Sequence, residues 1–143
     1  MVFPAFGAHS VSRVILHVVW ATVDRRPTID QALDEPLERV LRGLAWERGA
    51  GVRAFGAACD HVHVLVQLPA ILTVAAAVQR MKGASSHALH ESLLGGWQAG
   101  YWAESVSPDE IGPVSLYVRS QRAHHASARS VEPWEMEPAD RRA

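Results

Sequence analysis

The chain is 143 residues long, the length of one domain with enough apolar content for a single core. Its formal charge of −1 excludes the strongly basic surface of a protein that coats duplex nucleic acid indiscriminately, though not an enzyme that touches a few phosphates. Cys59 stands alone, so no intramolecular disulfide can form; MVFPAFGAHSVSR lacks the basic and apolar regions of a signal peptide, and no apolar run is long enough to span a bilayer. A cytoplasmic protein without a membrane partner is expected.

Val11 to Thr22 is rich in β-branched and aromatic residues and predicts a first strand, ended by the turn-like Asp24-Arg25-Arg26-Pro27. Thr28 or Asp30 can cap a first helix in which Leu33, Leu37, Val40, Leu41 and Leu44 recur at helical spacing before Gly49 and Gly51. Val52 to Ala58 and His61 to Leu68, separated by Cys59-Asp60, predict a hairpin. Within its second strand Val62, Val64 and Val66 alternate with His61, His63 and Leu65, so the valines face the core and the histidines the other side of the sheet. Thr73 to about Leu94 predicts a second helix with Val74, Val78, Met81 and Leu89 buried and a weak point at Gly83 to Ser86, and Tyr101 to Val106 a fourth strand. Pro108-Asp109-Glu110 suits the first turn of a last helix carrying Val114, Leu116, Tyr117, Val118 and Gln121. The expectation is one α+β domain over 1–143, with its core at about 11–125 and an irregular acidic tail over 126–143. Its sheet is four-stranded, antiparallel and ferredoxin-like, with helices on one face and a C-terminal helix added.

His61-Val62-His63 sets two imidazoles on one side of a strand, about 7 Å apart along the backbone. Two such rings can converge on one divalent ion, although a packed or solvent-facing pair is an equally ordinary use of the pattern. Tyr117 and Gln121, four residues apart, share a helix face. Were that face to lie over the histidine side of the sheet, the Gln121 oxygen could complete a three-ligand site beside the Tyr117 hydroxyl.

Five ordered stretches, HVVWATVDRRP, CDHVHVLVQLP, MKGASSHAL, GWQAGYWAESVS and YVRSQRAHH, together resemble the single-tyrosine HUH transposases of small bacterial insertion sequences, including the REP-associated tyrosine transposases. They cover roughly residues 14 to 125. The resemblance implies His61, His63 and Gln121 as metal ligands and Tyr117 as the nucleophile. It also implies cleavage and rejoining of single-stranded DNA with hairpin-bearing ends through a 5′-phosphotyrosine, and a homodimer. A tyrosine with its pKa near ~10 needs such activation, and a divalent ion on a non-bridging phosphate oxygen supplies it. Two imidazoles with an amide oxygen suit Mg²⁺ or Mn²⁺, and activity is expected to fall below the histidine pKa of ~6.5 as the ligands protonate.

Around that set, Arg25, Arg26, Arg80 and Lys82 are candidate phosphate contacts, and His124 and His125 extend the Tyr117-Gln121 face as second-shell or DNA contacts. Trp97, Tyr101 and Trp102 could stack on unpaired bases but suit a core better, and His17 reads as a strand histidine without a catalytic role. Two other functions fit parts of the pattern: a catalytically silent DNA-hairpin-binding module, and a small zinc hydrolase using Cys59, His61 and His63, against which Cys59 reads more simply as a buried small residue.

Overall fold

The computed structural model describes residues 11–127. Four antiparallel strands, β1 (Val14–Ala21), β2 (Gly51–Ala57), β3 (His61–Leu68) and β4 (Trp102–Ser105), form one sheet in the order β2-β3-β1-β4. The β2–β3 hairpin follows from the turn at Cys59-Asp60, and β1 pairs with β3 from Val14↔Leu68 to Ala21↔His61. β3 is buried along its whole length because both of its faces are covered, which explains its run of apolar and imidazole side chains.

Strand alternation decides which face each residue serves. Leu16, Val18 and Trp20 of β1, Phe55 and Ala57 of β2, and Val62, Val64 and Val66 of β3 form the larger core. Against them pack α1 (Asp34–Arg42) through Leu37 and Leu41, and α2 (Val74–Leu89) through Ala77, Val78 and Met81. The opposite face carries Ile15, Ala54 and Leu65, covered by Val118, Val114 and Ile111 of α3 (Ile111–Arg119). Two helices therefore lie on the valine face, and the C-terminal ones on the histidine face.

Several boundaries differ from the sequence-based expectation for identifiable reasons. Asp30, not Thr28, caps the first helical segment, accepting from Ala32 N in a 3₁₀ turn that leads into α1. α2 is unbroken through Gly83, since the small residues there make room for Trp97: its Nε1–H donates to Ser85 Oγ, which itself donates to Met81 O. The last helix is two helices. Ser120 leaves helical dihedrals (φ −97°, ψ 20°), and its hydroxyl donates back to Leu116 O, which competes with continuation of the helix. Tyr117 thus ends in α3, whereas Gln121 opens α4 (Gln121–Ser127). α4 also carries the chain two residues into the segment expected to be irregular; the rest of that acidic tail lies outside the described residues.

Gly56 governs how closely α3 approaches the sheet. A Cβ built on it would stand 1.7 Å from Val118 O and 3.3 Å from Gln121 Cγ. No side chain other than hydrogen fits, so the backbone of α3 rests directly on β2. Gly56→Ala is expected to cost about 1–3 kcal/mol or more of stability, as overpacking against backbone does. Gly83→Ala, in a helix and with open space around the new methyl, should gain about 0.5–1 kcal/mol. Urea unfolding of the two variants checks both signs; an unchanged midpoint for Gly56→Ala would show that α3 can lift away.

Candidate metal and nucleophile site

β3 delivers His61 and His63 to the face covered by α3 and α4, and both are almost wholly buried, at 1% and 0% exposure. Their rings lie 5.1 Å apart between centroids. His125 of α4 packs edge-on to His61 at 4.6 Å. One ring nitrogen from each of His61, His63 and His125 falls within 4.8 Å of the others, a group that could hold a metal ion. Tyr117 sits 5.5 Å from His63 and 5.3 Å from His124, ring centre to ring centre, and is half-buried.

Gln121 is fully buried beside this group. Gly56 is the cross-strand partner of His63, and a Cβ on Gly56 would meet Gln121 Cγ, so the amide side chain packs on the β2 residue next to His63. Its Nε2 donates to Tyr117 O at 2.8 Å. That bond fixes the amide's orientation, because only nitrogen can donate to a carbonyl. Oε1, buried and with no hydrogen-bond partner among the described residues, is the kind of acceptor a cation satisfies. The three imidazole nitrogens could hold a divalent ion, and the Gln121 amide oxygen is a chemically suitable further donor.

The ring orientations are held from outside the group. His61 Nδ1–H donates to Asp60 Oδ1 at 2.7 Å, and Arg25 grips the same carboxylate through Nε at 3.0 Å and Nη2 at 3.3 Å. Burial alone would raise the Asp60 pKa, but the hydrogen bonds and charges of His61 and Arg25 bring it down to about 2. An ionised carboxylate behind a histidine fixes its tautomer and raises its basicity. His63 Nδ1 lies 2.8 Å from His17 Nε2. Burial, followed by the neighbouring imidazoles, holds the His63 pKa well below the usual histidine value, and burial lowers His17 to about 4. Both rings are therefore neutral at neutral pH, the form a ligand requires.

Arg122 anchors α4 over the site. It grips both oxygens of Asp34, 88 residues away, at 2.7 and 2.6 Å, and donates to Ile29 O at 3.2 Å. Neither partner carries a sequence signal, because the pair exists only once α4 crosses to the start of α1.

The residues read from sequence divide accordingly. His61, His63 and Tyr117 come together, Gln121 packs on Gly56 beside His63 and bonds the Tyr117 carbonyl, and His124 lies against Tyr117. His125, expected only behind the ligands or against DNA, falls within the imidazole group that could hold a metal ion. His17, set aside as a plain strand histidine, contacts His63; the signal was available, since Ile15, His17 and Val19 alternate onto the histidine face. Cys59 is exposed in the hairpin turn rather than buried, and does not belong to the ligand group. Arg25 is committed to Asp60, Arg80 lies over Trp46 and donates to Ala45 O, and Lys82 donates to the carbonyls of Gln98 and Gly100, leaving Arg26 as the most exposed of the four. Trp97 packs edge-on to Trp20 against the core, whereas Trp102, half-buried, lies edge-on to His17 on the histidine face, and Tyr101 is exposed.

A buried imidazole group that could hold a metal, with a tyrosine packed on it, stands on one face of a ferredoxin-like α+β sheet. Residues 10–121 match the family model of IS200-like transposases, and the chain belongs to that family. Its structure resembles that of a proposed transposase from Deinococcus radiodurans R1, with a TM-score of 0.62 and 23% identity over 81% of this chain and 96% of the other. It also resembles a REP-associated tyrosine transposase bound to a REP hairpin, with a TM-score of 0.56 and 16% identity over 92% of this chain and 81% of the other. No curated protein matches the sequence. No helix among the described residues is long and apolar enough to cross a membrane.

The lowered histidine pKa values have a thermodynamic consequence. Below the unperturbed value of 6.5 the unfolded chain takes up protons that the folded protein refuses, so stability falls as pH drops from about 6.5 toward about 4, the His17 value. Asp60 acts in a lower window, losing its contribution as pH falls from 3.8 through about 2. Urea midpoints at pH 7 and pH 5 should therefore differ, with His17 supplying up to about 2 kcal/mol of the loss. His17→Phe should shrink that difference, and an equal pH dependence in the variant would show that His17 is not buried as a neutral ring.

Proposed function

We propose that the protein cleaves and rejoins single-stranded DNA during transposition, using Tyr117 as the nucleophile. The observation that carries this reading is the packing of Tyr117 on His63, next to the His61, His63 and His125 group, in an IS200-like transposase. The Tyr117 oxygen attacks a backbone phosphorus: a tyrosyl O–P bond forms, the P–O3′ bond breaks, the phenol gives up its proton and the departing 3′ oxygen gains one. The 5′-phosphotyrosine keeps the ester bond, so a second 3′ hydroxyl can reverse the step on another strand without ATP.

His61, His63 and His125, with Gln121 beside them, would hold a divalent cation, whose contribution when bound would be to polarise a phosphate oxygen and make the phosphorus more electrophilic. A set with three imidazole nitrogens favours Mn²⁺ over Mg²⁺, because imidazole suits the softer transition metals. The chain's own residues do the rest. Gln121 Nε2 ties α4 to the Tyr117 carbonyl, Asp60 and His17 orient the two strand histidines, and Arg122 holds α4 down. The hairpin seen with the REP-associated relative supports hairpin-bearing single strands as substrate. Arg26 follows β1 on the turn where Arg25 is held by Asp60, which favours Arg26 over Arg25 for phosphates near the cut; Arg80 and Lys82, on α2 across the sheet, would meet another part of the DNA. A homodimer follows from the family resemblance, and a single chain contributing Tyr117 and all three imidazoles supports attack within one subunit.

The assembled tyrosine and imidazoles speak against a silent hairpin-binding module, and exposed Cys59 against a zinc hydrolase built on it. Incubation with a labelled single-stranded hairpin end and Mn²⁺ should trap a covalent protein–DNA adduct. EDTA, Tyr117→Phe or His63→Ala should each abolish it, whereas an adduct of wild-type yield in Tyr117→Phe would sink the assignment.

A further inference from the structure

His17 lies on β1 opposite Leu65, and His63 is two residues from Leu65 along β3, so the two imidazoles project from the same face of adjacent strands. The rings stack 5.0 Å apart at 26° between planes, with His17 Nε2 2.8 Å from His63 Nδ1. Two further rings fix His17 in place: Trp102 of β4 meets its edge at 5.1 Å and Tyr117 at 5.9 Å. His17 is 8% exposed. It thus touches a strand histidine of the group, the tyrosine and the edge strand together.

A hydrogen bond between two neutral imidazoles has two arrangements. In one, His17 Nε2–H donates to His63 Nδ1, and His63 then carries its own proton on Nε2. In the other, His63 Nδ1–H donates to His17 Nε2, and His63 Nε2 presents a lone pair. Since Nδ1 of His63 is turned to His17, its ligand atom is Nε2, and only the second arrangement lets it bind a cation. We propose that His17 is a positioning residue for the cleavage site, accepting the His63 Nδ1–H and thereby holding His63 in the tautomer whose Nε2 lone pair points into the ligand group. This rests on the reading of that group as a cation site. His61 and His63 are then oriented by different devices, a carboxylate behind one and a neutral imidazole behind the other. The imidazole adds no negative charge, so the pair of rings is fixed while only one carboxylate stands behind the ion.

The test uses the metal-free protein first. Long-range ¹⁵N correlation spectra of the histidine rings should show wild-type His63 protonated on Nδ1. They should show a mixture or the Nε2–H form in His17→Phe, and the Nδ1–H form restored in His17→Gln, whose Oε1 can stand where the imidazole Nε2 stood. Calorimetric titration with Mn²⁺ alone should then show His17→Phe binding roughly 10- to 100-fold more weakly, the range typical for loss of such a partner, with His17→Gln close to wild type. A wild-type His63 protonated on Nε2 overturns the proposal, as does a His17→Phe spectrum identical to wild type or an equal loss of affinity in the two variants. Absence of Mn²⁺ binding by the wild-type protein would instead refute the cation site, while the ring spectra still decide the role of His17.

Discussion

Everything on the histidine face depends on one close approach, that of the Val118 carbonyl to Gly56. Gly56 is the cross-strand neighbour of His63, so the missing side chain opens a gap beside the imidazole. α3 fills that gap with backbone. Val118 then seals the smaller core with Ile15, Ala54 and Leu65, while Tyr117, one residue earlier, turns toward the rings. A methyl at position 56 would push the tyrosine and the glutamine outward together, because the same contact sets the height of both.

Fixing that height makes the remaining contacts possible. Gln121 donates to the Tyr117 carbonyl just before the break at Ser120, and the break lets α4 start in a new direction instead of extending α3. Arg122 then reaches Asp34 and Ile29, which holds the helix so that His125 meets His61. A continuous helix would carry residues 121 to 125 along the line of α3. The small irregularity at Ser120 is what brings a third imidazole to the pair on β3.

Burial then sets the chemistry. His61 and His63 lose almost all contact with water, and burial disfavours the charged imidazolium of His63 and His17. Neutral rings carry a lone pair, and the second-layer bonds to Asp60 and His17 decide which nitrogen offers it. Tyr117 stays at the boundary, half-buried, while its ring packs on His63. Imidazoles inside and the tyrosine toward the rim is the division that the proposed phosphoryl transfer to a large polymer would use.

The hairpin and its faces were legible in the chain: a two-residue turn at Cys59-Asp60 and strict alternation through β3 put the valines on one side and His61 and His63 on the other, because the strand period is two. Helical spacing likewise paired Tyr117 with Gln121, although it overran the break at Ser120, where a local side-chain bond outweighs propensity. Periodicity could not show that the two faces meet, nor that His17 and His125 join them, since those contacts span tens of residues and depend on strand order and on the clearance at Gly56. Local sequence thus determined which side chains could serve the site, through periods set by backbone geometry. Only the packing of α3 and α4 on the sheet decided which of them do, because convergence is a property of distance in space.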